Sequence, residues 1–266
     1  MTTLTFLGTG GGRFATIYQV RSTGGLYLQD ETRLHIDPGP SALWMMGKVG
    51  LDPAKTDAVL ISHCHPDHYS DAEVLLEGMT RGGLKRRGTL IGSNSAIHGL
   101  EGMGPAVSAY HRSLVPEVKA IQPDQTVQVG TISIRATPSK HSDPSGVGFA
   151  ISAEGGDISY VSDTELDNKV VAAHKGARVL ILPLTRPRGA RVPNHISSED
   201  AVDFAKSVSP ELVLLTHFGA KIIRQGAKAE AEYIERETGI KTVAAEDLMV
   251  VRIGKAIRVQ QGNETS

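Results

Sequence analysis

Short apolar runs of four to seven residues, set off by glycine, dominate the first third of the chain. Residues 3–7, 25–28, 33–36 and 58–61 read as strands. Gly8-Thr9-Gly10-Gly11-Gly12 follows the first of them as a turn-rich loop. Helical spacing predicts a helix over 41–49. Another should start at Ser70, where Ser70 and Glu73 have capping-box spacing and Ala72, Leu75, Leu76 and Met79 share a face. Residues 78–118 are poorly patterned and glycine-rich. They read as an insertion or lid holding one short strand at Leu90-Ile91. A second strand-rich stretch covers 127–137, 147–153 and 157–161. Helix, strand, helix and strand are then expected at 165–174, 178–182, 197–208 and 212–216. The last part predicts a helix over 224–237 and strands at 242–244, 249–253 and 256–259. Both halves supply strands and helices, and no composition-marked linker separates them. The expectation is one domain over 1–266, with sheets covered by helices.

Composition narrows the function classes. A chain of 266 residues can bury a full core without disulfides. Its 28 basic and 29 acidic side chains nearly cancel, which argues against a basic nucleic-acid surface over the whole molecule. Twelve aromatics (5 Phe, 1 Trp, 6 Tyr) are few for a protein that stacks single-stranded bases along its length. The single cysteine, Cys64, forms no intrachain disulfide and fits a reducing, cytoplasmic compartment. Neither a signal peptide nor a transmembrane run is expected, hence no membrane partner. The 29 glycines exceed the ~7 % usual share and imply many tight turns.

The sharpest chemistry is Ser62-His63-Cys64-His65-Pro66-Asp67-His68. Strand alternation places His63 and His65 on one face at the end of the 58–61 strand. Pro66 turns the chain, and Asp67 and His68 come just before a helix. Two imidazoles followed a turn later by a carboxylate and an imidazole suit two adjacent cations. Cys64 faces the opposite way and is expected in the core. His35, His98, His111 and His174 have no such context and read as structural. Gly8 to Arg13 is not a dinucleotide fingerprint, since Arg13 stands where the last glycine belongs. It is not a P-loop either, and reads as a tight turn near the metals.

This H-x-H-x-D-H motif after an apolar strand resembles the signature of the metallo-β-lactamase superfamily. Phe6-Leu7-Gly8-Thr9-Gly10-Gly11 is similar to that family's first strand and loop, and Ile36-Asp37-Pro38-Gly39 to its acidic turn. The resemblance implies an α/β fold: a four-layer αββα sandwich of two mixed sheets flanked by helices. It implies two divalent ions at the strand ends, zinc or alternatively manganese or iron. His63, His65 and His141 would hold one ion and Asp67, His68 and His217 the other, with Asp163 between them. Asp37 would orient ligands from behind.

His195, 22 residues before His217, resembles a histidine of the phosphodiesterase branch, which includes ribonuclease Z. The function so implied is a dinuclear phosphodiesterase in which metal-activated water attacks, Asp67 serves the catalytic centre and His195 is the general acid. The preceding loop, Thr185 to Pro193, carries Arg186, Arg188 and Arg191 between prolines, and guanidinium groups bind phosphate oxygens. All three are therefore candidates for substrate binding. The chain departs from ribonuclease Z in having Leu182-Pro183-Leu184-Thr185 where that family has a His-Glu-Ala-Thr element. Only 22 positions separate His141 from Asp163, room for a hairpin but not for a tRNA-grasping arm. The expected substrate is a small or single-stranded phosphodiester, with RNA and a second copy of the chain as further partners. Acyl hydrolysis of a lactone or thioester, and RNA cleavage without the arm, are the alternative activities.

Overall fold

The structure, a computed structural model, describes residues 1–261; the last five positions of the expected 1–266 domain lie outside the described residues. The first half of the chain lays down β1 (Thr2–Gly8), β2 (Thr23–Gln29), β3 (Arg33–Ile36), β4 (Ala58–Ile61), β5 (Thr89–Ser93) and β6 (Glu117–Ile121). The second half contributes β7 (Thr126–Val129), β8 (Ile132–Pro138), β9 (Val147–Ala153), β10 (Gly156–Tyr160), β11 (Val179–Pro183), β12 (Leu212–Thr216) and β13 (Thr242–Ala244). Finally β14 (Val250–Ile253) and β15 (Ile257–Gln260) return to the first sheet. The strand orders are β15-β14-β1-β2-β3-β4-β5-β6 and β13-β12-β11-β10-β9-β8-β7. Both sheets are mixed. Each has an antiparallel part and a block of four parallel strands, β3 to β6 in one and β10 to β13 in the other.

Alternation along the strands explains the layers. Leu60 of β4 faces the core between the sheets, while Val59 and Ile61 face the helices outside. Ile181 faces the same inner core, and Leu180 and Leu182 face the outer helices of the second sheet. Strands buried on both faces read as continuous apolar runs rather than alternating ones. The outer helices bury one stripe each: Leu75, Leu76 and Met79 on one side, Phe204 and Ile234 on the other. The arrangement is the expected four-layer αββα sandwich.

Three local readings need correction. Residues 78–118 are not a lid. Thr89–Ser93 lies inside the first sheet, parallel to both β4 and β6, because Leu90 and Ile91 bury on opposite faces as its neighbours do. Ser70 is not a helix N-cap. Pro66 opens a short helix, Pro66–Tyr69, so Ser70 is already in the right-handed helical region and its hydroxyl donates to Pro66 O. The next helix, Ala72–Thr80, has Asp71 at its N-cap position with no side-chain capping bond, and the Glu73 carboxylate accepts from Ser108 N. The helix expected over 224–237 is two helices, Ala220–Gln225 and Ala227–Thr238, broken at Gly226 with φ 98°. By contrast Ser197 and Asp200 form a full capping box for Ser198–Val208.

β9 and β10 form a hairpin between His141 and Asp163, with Gly156 opposite Ala153. The described residues contain no helix long and apolar enough to cross a membrane. What positions the site is direction. β1, β3, β4, β8, β10, β11 and β12 run into loops at one end of the sandwich, where ligands of open α/β sheets gather.

Candidate metal centre

Seven side chains from four strand ends meet there. Asp67 and His68 sit on the Pro66–Tyr69 turn after β4. His63 Nε2 lies 2.9 Å from His65 Nδ1, and His141 Nε2, from the loop after β8, lies 3.2 Å from the same atom. These three offer one group of converging nitrogens. Asp67, His68 and His217 form a second group, with His68 Nε2 3.3 Å from His217 Nε2 and His217 Nε2 3.4 Å from Asp67 Oδ2. Asp163, after β10, stands between the groups: its Oδ1 is 3.1 Å from His217 Nε2, and its Oδ2 is 3.8 Å from His141 Nε2 and 3.9 Å from His68 Nε2.

The far side of each ring fixes what the near side can do. Asn194 O accepts from His141 Nδ1, and the Asp37 carboxylate accepts from His68 Nδ1. A carbonyl or carboxylate only accepts, so those Nδ1 atoms carry protons and the Nε2 atoms are the ones turned inward. Asp37 Oδ2 also accepts from the Ser62 hydroxyl, whose oxygen therefore accepts from His63 Nδ1. Ser62 N and the Tyr160 hydroxyl donate to the same carboxylate. One buried aspartate thus orients two histidines, directly and through a serine. Asp37 has φ 52°, a left-handed turn that brings its side chain back under the β4 end.

Glycine lets the first loop close over this end. A Cβ on Gly11 would stand 2.2 Å from the His217 ring, so no other residue fits without displacing it. Gly12 N donates to Asp67 Oδ2 at 2.9 Å, and Thr185 Oγ1 lies 3.2 Å from His217 Nδ1. The loop is the expected tight turn at the centre.

Electrostatics mark the cluster as a place for cations. Burial opposes charging His68, but Asp67, Asp37 and Asp163 outweigh it and push its pKa up to about 10. Burial and the neighbouring imidazoles of His68, His65 and His141 hold His63 well below the usual histidine value. Asp163 is buried, which disfavours its charge, yet His217, His68 and His141 keep its pKa low. Asp163 Oδ1 has no hydrogen bond to any donor although it is fully buried. Imidazole nitrogens converging beside a carboxylate oxygen that makes no hydrogen bond fit divalent cations: five imidazoles and two carboxylates are borderline-soft and hard donors together.

The remaining sequence candidates divide. His195 is beside the cluster, with Nε2 3.9 Å from Asp163 Oδ2, its ring 5.1 Å from His141, and Nδ1 turned to Pro193 O. Burial lowers its pKa and Asp163 works the other way. Arg186 lines a cleft next to Gly12 and Thr185. Arg188 and Arg191 do not point a free guanidinium at the centre. Arg188 bonds Glu230 and covers the Tyr233 ring, and Arg191 bonds Asp200. Acids of the helices Ser198–Val208 and Ala227–Thr238, invisible as partners in a linear reading, take them up. Cys64 is buried with its thiol on Gly104 O, as expected. His35 and His174 are buried on Gly24 O and Ser159, His111 bonds Glu77, and His98 is exposed: none joins the cluster.

Sequence reasoning missed Asp143. Its carboxylate accepts from Cys64 N, Ser95 Oγ and Ser145 N, and so pins the His63–His65 turn to the loop carrying His141. An Asp-Pro pair two residues after His141 was the only local sign. Asp247 was missed as well; it accepts from Thr9 N, Thr9 Oγ and Ser22 N and anchors the glycine loop from 238 residues away.

Comparison with known proteins places these features in a family. The family model described as "Beta-lactamase superfamily domain" matches residues 32–218, from before β3 to after His217. Protein MJ1374 of Methanocaldococcus jannaschii is 40% identical over 260 residues, 97% of this chain and 95% of the relative. The UPF0173 metal-dependent hydrolase MK1542 of Methanopyrus kandleri is 25% identical over 182 residues, 63% of this chain and 69% of that one. Among solved structures, the metallo-β-lactamase fold protein YhfI from Bacillus subtilis aligns with TM-score 0.75 at 21% identity, covering 94% of this chain and 98% of its own. A diphosphatase of the PhnP family aligns at 0.70 with 18% identity, covering 95% and 98%. The short form of human tRNase Z aligns at 0.66 with 20% identity, covering 94% and 99%.

Proposed function

This chain belongs to the β-lactamase superfamily, as a metal-dependent hydrolase, and from that premise we propose that it is a two-metal phosphodiesterase. The carrying observation is the pair of three-donor groups with Asp163 between them and His195 at their edge. His63, His65 and His141 would hold one cation and Asp67, His68 and His217 the other, with Asp163 shared. Zinc suits these donors, and manganese and iron accept them too. Bound there, two cations would polarise a phosphoryl oxygen and lower the pKa of a water.

The chain's own residues do the rest. Asp37 and Ser62 hold the His68 and His63 rings in one tautomer, so no reorientation is needed when a ligand arrives. Asn194 O does this for His141, and Glu165 fixes Asn194 by accepting from its N–H. That same loop delivers His195, whose Nε2 is free to hand a proton to a leaving alkoxide. An anionic substrate beside His195 raises its pKa against the effect of burial. An acyl substrate has a similar need for activated water, but less use for cations around the cleft.

The test is a metal-loaded preparation assayed on bis(p-nitrophenyl) phosphate and, side by side, on a lactone panel. Two equivalents of metal and phosphodiester turnover are expected. His195→Ala should lower that turnover by ~10²–10⁴-fold, the usual range for a lost general acid, with metal content unchanged. Lactone cleavage without phosphodiester cleavage would overturn the reading.

A further inference from the structure

The loop and helix after β1 carry a feature that the metal centre does not use. Gly12–Tyr18 is a short helix whose Phe14, Ile17 and Tyr18 are largely exposed, at 65%, 62% and 72%. Phe14 and Tyr18, four residues apart, share a face and line a cleft of about 470 Å³. Arg13, Arg186, Lys221 and Arg224 line it with them, and no aspartate or glutamate does. Among the described residues, none of these four cations has a carboxylate partner: Arg224 Nε bonds only Ala220 O, and Arg186 Nε is buried with no acceptor. Arg188 and Arg191, on the same loop as Arg186, are both neutralised. Gly12 and Thr185 wall the cleft on one side and contact Asp67 and His217 on the other, so the cleft opens beside the metal centre.

Resting on the phosphodiesterase reading, we propose that this cleft is the substrate subsite for a nucleotide: a flat base stacked on Phe14 and Tyr18, with phosphate oxygens on Arg13, Arg186, Lys221 and Arg224. Guanidinium and ammonium groups gathered without competing acids favour an anion. Two exposed aromatic faces at its rim reward a flat π-system, and stacking is sequence-tolerant because every base offers one. The volume suits one nucleotide rather than a strand. The substrate class is therefore a small nucleotide phosphodiester in preference to a sugar phosphodiester.

The test is binding, read by titration calorimetry on the metal-free and metal-loaded protein, with 5′-AMP and ribose 5-phosphate as probes. AMP should bind at least ~10-fold more tightly, as expected of base–aromatic stacking. Phe14→Ala and Tyr18→Ala should each remove most of that advantage and leave ribose 5-phosphate within ~2-fold. Both side chains are exposed, so the variants should fold. Lys221→Ala with Arg224→Ala should weaken both probes. Equal affinity for the two probes, or an AMP affinity indifferent to both aromatic variants, overturns the proposal. So does a homodimer that Phe14→Ala dissociates while AMP binding stays intact, because a second copy would then be the occupant. These outcomes are separable from failure of the catalytic reading, which is decided by bis(p-nitrophenyl) phosphate turnover alone.

Discussion

The buried histidines at the strand ends and those inside the sandwich have met the same solvent exclusion with opposite results. His68 is almost inaccessible, and so are His35 and His174. Yet the His68 pKa is pushed up to about 10, whereas burial takes His35 down to about 4 and His174 down to about 3. Burial penalises an imidazolium in all three places. The difference lies in the neighbours. His68 faces three carboxylates, His35 has a carbonyl and one more distant aspartate, and His174 has a serine and the Arg135 charge nearby. What a buried imidazole's other nitrogen touches, and the charge around it, thus decide whether it is held charged or neutral.

The most forceful way to break that comparison is at Asp37. Asp37→Asn removes the negative charge and, with its oxygen kept at the Oδ2 position that serves His68 Nδ1 and the Ser62 and Tyr160 hydroxyls, sets its amide N–H₂ against Ser62 N–H. Metal affinity should fall ~10–100-fold, as for other supports behind a ligand, measured by competition with a chromophoric chelator. Ser159→Ala, which removes the partner of His174, should leave metal affinity unchanged. Equal effects from the two would mean that Asp37 acts only through overall stability.

A smaller effect sharpens the other side. His35 and His174 are neutral when folded, with pKa values near 4 and 3, and take protons near 6.5 when unfolded. Between pH 6.5 and those lower values the unfolded chain binds more protons. Their contribution to stability is therefore present above pH 6.5 and is lost as pH falls. The slope is on the order of 1 kcal/mol per pH unit for each. The urea midpoint of wild type should drop more steeply from pH 7 to 5 than that of His174→Gln. The comparison reads slopes, so any constant offset from the substitution cancels. Parallel curves would show that His174 does not stay neutral in the folded state.

Much of this was legible in advance because it is local. The motif from His63 to His68 fits within one strand end and one turn, and alternation alone orients its first two rings. The strands at 33–36, 58–61, 147–153 and 212–216 were readable because apolar runs bounded by turn residues permit little else. His141, Asp163 and His217 followed from strand ends together with the resemblance. What failed was non-local or depended on competition between signals. β5 reads as a short strand within an insertion because its glycine-rich flanks hide a full sheet strand buried on both faces. Ser70 had the right spacing for a cap, but Pro66 had already started the helix. Asp143 and Asp247 act through backbone N–H groups far away in sequence, which no periodicity encodes.

The three arginines of one loop are the same lesson in miniature, and they give the smallest predicted effects. They look equivalent in sequence, but Glu230, Asp200 and an empty set of acids separate them. Glu230 is buried, and among the described residues its carboxylate accepts only from Arg188. Arg188→Ala therefore leaves a buried acceptor without a donor and should cost about 1–2 kcal/mol of stability. Asp200 is also buried, but Ser197 N and Ser197 Oγ still donate to it once Arg191 is gone. With Arg191 mostly exposed, at 63%, Arg191→Ala should cost under about 1 kcal/mol. Neither change should move the phosphodiester KM by more than ~2-fold. Arg186→Ala should raise it ~10-fold with no comparable loss of stability, the worth of one charge-assisted phosphate contact. Chemical denaturation and KM measured on all three variants decide the matter. A rise in KM for Arg191→Ala as large as that for Arg186→Ala would mean that Asp200 surrenders its arginine when substrate binds.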